Sequence, residues 1–175
     1  MRKIPVLSHV VYKFHLIPKS IDRALELEPS CRFEVVSKKT LAQSNYTSKA
    51  TVILDVAHNP DGIEKLIQRV KLTYPGKAYH FALSFSASKD IAGCVRLISA
   101  AATSIHILDT AHPRLMPPEE IKQHFFYSNP LFISTPEQML NKSFSQMNAN
   151  DVLIICGSFF IMDIVRKLLG YDSPL

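Results

Sequence analysis

Short apolar segments alternate with helix-forming segments from about residue 31 to the end of the chain. The segments between the apolar runs carry apolar residues at the three- and four-residue spacing of an amphipathic helix. Apolar strands separated by helices of this length pair in parallel, because each helix returns the chain to the starting edge of the sheet. The sequence therefore predicts an α/β domain with a mostly parallel sheet and helices on both faces.

The pattern gives a definite set of elements. Asn59-Pro60-Asp61 is typical of a helix start, with a capping amide, a proline at the first helical position and an acid in the first turn. Pro75-Gly76 ends that helix. The polar segment 38–49 is predicted to form a hairpin or a surface loop. Strands are predicted at 32–36, 51–55, 79–85, 104–108, 131–133 and 151–156, and the other helices at 91–102, 118–125, 135–147 and 158–169.

Residues 1–30 do not follow this pattern. Apolar residues in this segment, such as Val10 and Phe14 and then Leu25 and Leu27, suggest helical pieces that are interrupted at Pro18. A helical segment ahead of a complete α/β unit is typical of the end of another domain. We therefore predict a boundary near residue 30, and apolar surface exposed on 1–30 wherever its partner is absent.

Composition narrows the class of protein. The sequence has three widely spaced cysteines, Cys31, Cys94 and Cys156. An odd number argues against a set of disulfides, so reduced thiols and a cytoplasmic location are expected. The net charge of +5 arises in residues 1–50, which hold nine basic and four acidic side chains. Because no aromatic residues are interleaved with a basic run, we expect no nucleic-acid partner, whereas anionic small molecules suit this field. No stretch approaches the roughly 20 apolar residues of a membrane span, so no membrane partner is expected.

The segment Leu54-Asp55-Val56-Ala57-His58-Asn59-Pro60 joins a predicted buried strand to a helix. In open α/β sheets ligands bind at the carboxyl ends of strands, and a helix N-terminus favours an anion. Asp55 could bind a ribose hydroxyl or a metal-bound water, and His58 could bind a phosphate or a carboxylate. The alternative is that Asp55 stabilises the turn and His58 is a surface residue.

Two further polar residues occupy similar positions. Ser158 follows a strand and Gly157 at a predicted helix N-terminus, where it could donate to a carboxylate or phosphate or could serve only as an N-cap. Arg32 begins a predicted strand, where its guanidinium could bind a phosphate or form a surface ion pair. Lys89-Asp90 and His112-Pro113-Arg114 are interpreted as cap and loop residues.

Several common motifs are absent from the sequence. It contains no GxGxxG for a dinucleotide, no GxxxxGK[ST] for a triphosphate and no GxSxG nucleophile turn. The seven histidines lack zinc-ligand spacing with cysteines or acids, so we predict no metal site.

In this order and spacing, Arg32, the turn from Asp55 to Pro60 and Cys156-Gly157-Ser158 resemble the C-terminal domain of folylpolyglutamate synthase/dihydrofolate synthase, in the Mur ligase superfamily. Family segments are also resembled by Lys89-Asp90 and by Pro113-Arg114 with Pro117-Pro118-Glu119-Glu120. The resemblance covers about residues 10–175, although 38–49 is longer than the family's usual connection. It implies a Rossmann-like sheet over 31–175, preceded by a short helical segment, 1–30, that ends the central ATPase domain.

The resemblance also implies a reaction. The family adds L-glutamate to dihydropteroate or folate in an ATP-dependent ligation through an acyl phosphate. ATP and Mg²⁺ would be held mainly by the N-terminal ATPase domain, which these 175 residues lack, so this chain is expected to be an inactive monomer by itself. By resemblance, Arg32 and Asp55 bind ATP, His58 is catalytic and contacts glutamate, and Ser158 binds glutamate.

Two other interpretations remain open at this point. The chain could be a free-standing nucleotide- or anion-binding α/β module without catalysis, or a remnant without any ligand. The sequence also leaves open whether the ligase makes dihydrofolate, extends folate polyglutamates or does both, because that choice is expected to depend on the pterin site.

Overall fold

The computed structural model describes residues 29–126 and 129–172. The chain divides into two compact units, Met1–Ser30 and Cys31–Leu175. Residues 1–28 lie outside the described part, so the prediction that 1–30 end a different domain, and the helical segment predicted there, stay predictions. The second unit contains six strands within the described residues: β1 Glu34–Val35, β2 Thr51–Leu54, β3 Ala78–Leu83, β4 Ser104–Leu108, β5 Leu131–Ser134 and β6 Asp151–Cys156.

The strands form one sheet with the order β1-β2-β6-β3-β4-β5. Only β1, at the edge, is antiparallel to its neighbour, and the other pairings in the described sheet are parallel. The last strand lies between β2 and β3, with Ile155 opposite Leu54 and Cys156 opposite Leu83. The predicted mostly parallel α/β sheet is confirmed.

Helices cover both faces of the sheet. Successive connections β2→β3→β4→β5 run in one direction across the sheet, so right-handed crossovers place their helices on one face, and the return to β6 places the next helix on the other. The buried residues accordingly form two clusters, one around Phe81 and Ile154 and the other around Leu54 and Ile155. The helices are α1 Lys38–Leu41, α2 Pro60–Thr73, α3 Ile91–Ser99, α4 Pro118–Lys122, α5 Pro136–Gln146 and α6 Met162–Leu168, the last preceded by a 3₁₀ turn at Phe159–Ile161.

Local capping explains where the longer helices begin. Asn59 Oδ1 accepts a hydrogen bond from Gly62 N–H at 2.8 Å, as expected for the cap of α2. At α5, Thr135 and Gln138 form a reciprocal capping box, with the Gln138 N–H donating to Thr135 Oγ1 and the Thr135 N–H donating to Gln138 Oε1. These caps leave the first turns of both helices at the predicted residues.

Two predictions were wrong in detail. Segment 38–49 is not entirely loop, because Ser37 Oγ accepts from Thr40 N–H at 3.0 Å and the buried Leu41 anchors the short helix α1. The first strand is two residues long instead of five. Its shortening has a backbone cause, since Cys31 and Phe33 have positive φ angles of 56° and 55° that are incompatible with a strand.

Candidate functional site

The strand order creates a crevice at the carboxyl ends of β2 and β6. These neighbouring parallel strands send their following helices, α2 and α6, to opposite faces of the sheet. Such a switch point is where open α/β sheets bind ligands. The loop after β2 and the loop after β6 are joined by a hydrogen bond, in which the Gly157 N–H donates to Ala57 O at 2.8 Å. The two sequence motifs that carry Asp55 and Ser158 therefore meet at one edge.

Asp55 fixes the loop around it. Its Oδ1 accepts from Ala57 N–H at 2.7 Å, and its Oδ2 accepts from Phe33 N–H at 2.8 Å. Burial raises the pKa of the Asp55 carboxyl, while those two hydrogen bonds and the charges of Arg32 and Arg69 act in the opposite direction. The carboxylate therefore connects the turn after β2 to the segment ahead of β1. This is the turn-stabilising role that the sequence offered as the alternative. Each oxygen still retains one lone pair for a ligand.

His58 lies half-buried in the same turn. Its Nδ1 is 2.8 Å from the carbonyl oxygen of Val56. A carbonyl oxygen can only accept, so Nδ1 carries the proton, and Nε2 of the neutral ring is then an acceptor. The imidazole is thus held in one tautomer and one orientation beside the start of α2.

A cavity of about 270 Å³ lies beside this turn. Three of its side chains, Arg32, Lys65 and Arg69, are cationic, and Asp55 is the carboxylate among the lining residues. Lys65 also pairs with Asp61 at 2.7 Å on the exposed surface of α2, and the Arg69 guanidinium lies 4.1 Å from the centre of the Phe33 ring. This balance of charge favours an anionic ligand. The full lining is Arg32, Phe33, Asp55, Val56, Ala57, His58, Asn59, Gly62, Lys65, Leu66 and Arg69.

The structure therefore brings together three of the four predicted site residues. Arg32, Asp55 and His58 line one cavity, whereas Ser158 does not line it and lies at the end of the neighbouring strand. The buried Ser158 Oγ accepts from Phe160 N–H at 3.3 Å, which is the N-cap interpretation of this residue. Its hydroxyl proton has no acceptor among the described residues and could still be donated to a ligand.

Sequence reasoning missed Lys65 and Arg69. They stand four residues apart on α2, beside the Gly62 that also lines the cavity, so they share one flank of the helix. The spacing was visible in the sequence, but a basic pair on an amphipathic helix is ordinarily an exposed surface feature. Only the position of the 31–33 segment beside α2 makes that flank part of a cavity.

A second cavity, of about 440 Å³, lies at the carboxyl end of β4 and is lined by residues 108–113 and 115–118. On the adjoining surface the His112 ring stacks on Phe160, with 4.7 Å between centroids, and the Arg114 guanidinium lies 5.4 Å from the same ring. Asp90 caps α3 by accepting from Gly93 N–H at 2.9 Å. The interpretation of Asp90 as a cap residue is confirmed.

Magnesium does not fit the residues of the first cavity. Mg²⁺ prefers several oxygen ligands, but Asp55 is the one carboxylate among the residues that line the cavity, and three of the other lining side chains are cationic. Across residues 29–126 and 129–172, no three His, Cys, Asp or Glu side chains converge in a metal-binding arrangement.

In the same ranges, no helix has both the length and the apolar character needed to cross a bilayer.

Comparisons with known proteins agree with this fold. A family model described as "Mur ligase, glutamate ligase domain" matches residues 31–159. A dihydrofolate synthase/folylpolyglutamate synthase from Bacillus subtilis is 25% identical over 118 residues, covering 67% of this chain and 27% of the relative. The relative of the same name from Escherichia coli is 25% identical over 138 residues, covering 79% of this chain and 30% of its own length.

A solved structure of a bifunctional folylpolyglutamate synthase/dihydrofolate synthase with Mn, AMPPNP and L-glutamate bound aligns with a TM-score of 0.67 at 25% identity. The alignment covers 86% of this chain and 35% of that protein. The chain thus spans about a third of the length of the relatives that it matches.

Proposed function

Since this chain belongs to the Mur ligase glutamate ligase domain family, we propose that it forms the ATP- and glutamate-facing lobe of a ligase that adds L-glutamate to dihydropteroate or folate. The observation that carries the proposal is the convergence of Arg32, Asp55 and His58 on one cationic cavity at the switch point of the sheet. The ligands named for the structural relative, AMPPNP and L-glutamate, are an anionic nucleotide and an anionic amino acid.

The reaction proceeds through two displacements. A carboxylate oxygen of the pterin substrate attacks the γ-phosphorus of ATP, so that a new P–O bond forms and ADP leaves. The glutamate amine then attacks the acyl carbon, the phosphate leaves, and the amine loses a proton. Both steps depend on positioning and on neutralising phosphate charge.

The residues of this lobe have distinct parts in that scheme. Arg32 binds ATP through its guanidinium, and Asp55 both holds the loop and accepts from the nucleotide through its remaining lone pairs. His58, with Nε2 as an acceptor, takes the proton from the glutamate amine. Ser158 donates a hydrogen bond from its hydroxyl to a glutamate carboxylate, while its oxygen still accepts the capping hydrogen bond from Phe160 N–H.

The sequence contains no phosphate-binding P-loop, so the triphosphate and its magnesium ion are proposed to bind a second lobe. ATP-dependent ligation of glutamate by the purified 175-residue chain should therefore be undetectable. Adding a P-loop lobe of this family should restore turnover, and His58→Ala should abolish the restored activity. Turnover by the chain alone would overturn the proposed division of labour.

A simpler alternative is supported by one observation: every residue that lines the cavity belongs to the described part of Cys31–Leu175. A free-standing module that binds nucleotides without catalysis would need nothing more. Calorimetric titration of the chain with ATP distinguishes the two. Micromolar binding without any second lobe, lost in Arg32→Ala but kept in the exposed control Lys122→Ala, favours the module.

A further inference from the structure

We infer that Arg166, in helix α6, is a positioning residue that holds Arg32 at the cavity through Glu34 and the backbone of Cys31. The inference deepens the proposed function, because it names what fixes the orientation of one ATP-binding residue. It depends on the proposed function only for the identity of the anion, since the structural link itself can be tested without any ligand.

Arg32 stands between two buried anchors. Cys31, which is fully buried, packs into the cluster that contains α6, whereas Phe33, which is 5% exposed, packs into the cluster that contains α2. In a regular strand, residues two apart face the same side of the sheet. Here the left-handed conformations of both anchors send their side chains to opposite sides of the sheet. Because Cys31 and Phe33 are buried on opposite sides, the backbone between them sets the direction of the exposed Arg32 side chain.

Left-handed backbone is unfavourable for residues that carry a Cβ, so both anchors require interactions that hold them. At Phe33, the N–H donates to Asp55 Oδ2 at 2.8 Å. At Cys31, the N–H donates to Glu34 Oε2 at 2.7 Å, and the carbonyl oxygen accepts from Val56 N–H at 2.8 Å. A carboxylate therefore stabilises each anchor, and the one at Cys31 depends on where Glu34 is held.

Arg166 holds Glu34 in place. Its Nη1 donates to Glu34 Oε1 at 2.7 Å and to Oε2 at 2.6 Å, and its guanidinium lies 3.8 Å from the centre of the Tyr171 ring. The arginine is only 7% exposed, so this ion pair is poorly screened by water. Burial alone would raise the pKa of the Glu34 carboxyl, but hydrogen bonds from Cys31, Tyr171 and Arg166 outweigh it and lower that pKa.

The link connects parts of the chain that are far apart in sequence. Glu34 and Arg166 are separated by 132 positions, and Arg166 does not line the cavity. The path runs from the Arg166 guanidinium to the Glu34 carboxylate, then to the Cys31 N–H and so to Arg32. A defect at Arg166 should therefore reach a ligand mainly through the orientation of Arg32, with a smaller effect through the hydrogen bond from Val56 N–H to Cys31 O.

The first test needs no ligand. Arg166→Lys keeps the charge but shortens the side chain, so that it withdraws the donor that Nη1 supplies to both Glu34 oxygens and removes the guanidinium that lies on the Tyr171 ring. Hydrogen exchange at the Cys31 amide should become at least tenfold faster, while the Ile154 amide in the central strand exchanges as before. Lys167→Ala is the matched control, because Lys167 forms only an exposed pair with Asp163 on the same helix. Unchanged exchange at Cys31 in Arg166→Lys would overturn the inference.

The second test is a double-mutant cycle with ATP as the probe. Arg166→Lys should weaken ATP binding about fivefold in the native background and less than twofold when Arg32 is already alanine. An equal loss in both backgrounds would overturn the link to Arg32. If Arg166→Lys does not fold, Glu34→Gln replaces it with the same expectations. If the native chain alone does not bind ATP, the free-standing module is excluded and the cycle is repeated with a P-loop lobe of this family added. Failure of ATP to bind that mixture would count against the proposed function, while the exchange measurement still decides the inference.

Discussion

Replacement of Gly157 by alanine tests how closely the ends of β6 and β3 approach each other. Gly157 has a φ of 99°, and a Cβ at this position would lie 2.4 Å from Ser84 O and 3.1 Å from Phe85 Cε1. Gly76 has a φ of 72°, but a Cβ there would meet no heavy atom within 4 Å. The two glycines therefore share an unfavourable backbone conformation for alanine, and only Gly157 adds a steric conflict.

The difference can be estimated from these contacts. A left-handed backbone costs a residue with a Cβ about 1 kcal/mol, and this should be the whole effect of Gly76→Ala. Gly157→Ala must also displace the Ser84 carbonyl or its own loop. That movement should break the 2.8 Å hydrogen bond from Gly157 N–H to Ala57 O, which contributes about 1 kcal/mol to stability. Strain in the surrounding packing should cost about 1 kcal/mol more. We expect a total loss of about 3 kcal/mol.

Urea denaturation followed by circular dichroism measures the free energy of unfolding of each variant, and thermal unfolding measures its Tm. At roughly 2–4 °C per kcal/mol for a chain of this size, Gly157→Ala should lower Tm by about 6–12 °C and Gly76→Ala by only a few degrees. If the two variants lose the same free energy of unfolding within about 0.5 kcal/mol, the contact between Gly157 and Ser84 is not as close as described, and the steric argument fails.

Three further predictions concern single side chains. Burial, with smaller contributions from Lys142 and His80, lowers the pKa of His106 to about 4. The unfolded chain therefore takes up this proton first, so stability should fall as pH drops from about 6.5 to 4. Urea unfolding at several pH values should show a shallower fall in His106→Gln, and an unchanged slope would contradict this assignment. Thr135→Ala removes one half of the capping box of α5 and should cost about 1 kcal/mol in the same unfolding assay, while Ser145→Ala near the end of that helix should cost less. Arg69→Ala should weaken ATP binding several-fold in calorimetry and Arg69→Lys less, because the positive charge remains; equal losses would show that the stacking on Phe33 matters more than the charge.

Much of the fold follows from local patterning. The apolar runs at 104–108 and 151–156 form strands at those residues, and the sequence around Asn59-Pro60 begins α2 where expected. These features depend on interactions within a few residues, so the sequence reports them directly. The position of Asp55 and His58 at a strand end also follows, because a strand-to-helix turn must place them there.

Other features depend on contacts between distant segments. The residues in and around β6 do not predict that this strand lies between β2 and β3. Cys31 and Phe33 carry no sign of left-handed backbone, since glycine is the residue that ordinarily marks it. The pairing of Glu34 with Arg166 across 132 positions is likewise invisible to periodicity. Local rules therefore predicted the elements and the edge of the site, but not what fixes Arg32 there.

The central place of β6 has a consequence for biosynthesis. Until residues 151–156 have left the ribosome, β2 and β3 lack the strand that separates them, and the backbone groups that β6 would pair are exposed on both. Assembly of this unit must therefore wait until nearly all of it has been translated. The nascent chain is exposed to mispairing and to chaperones throughout that interval.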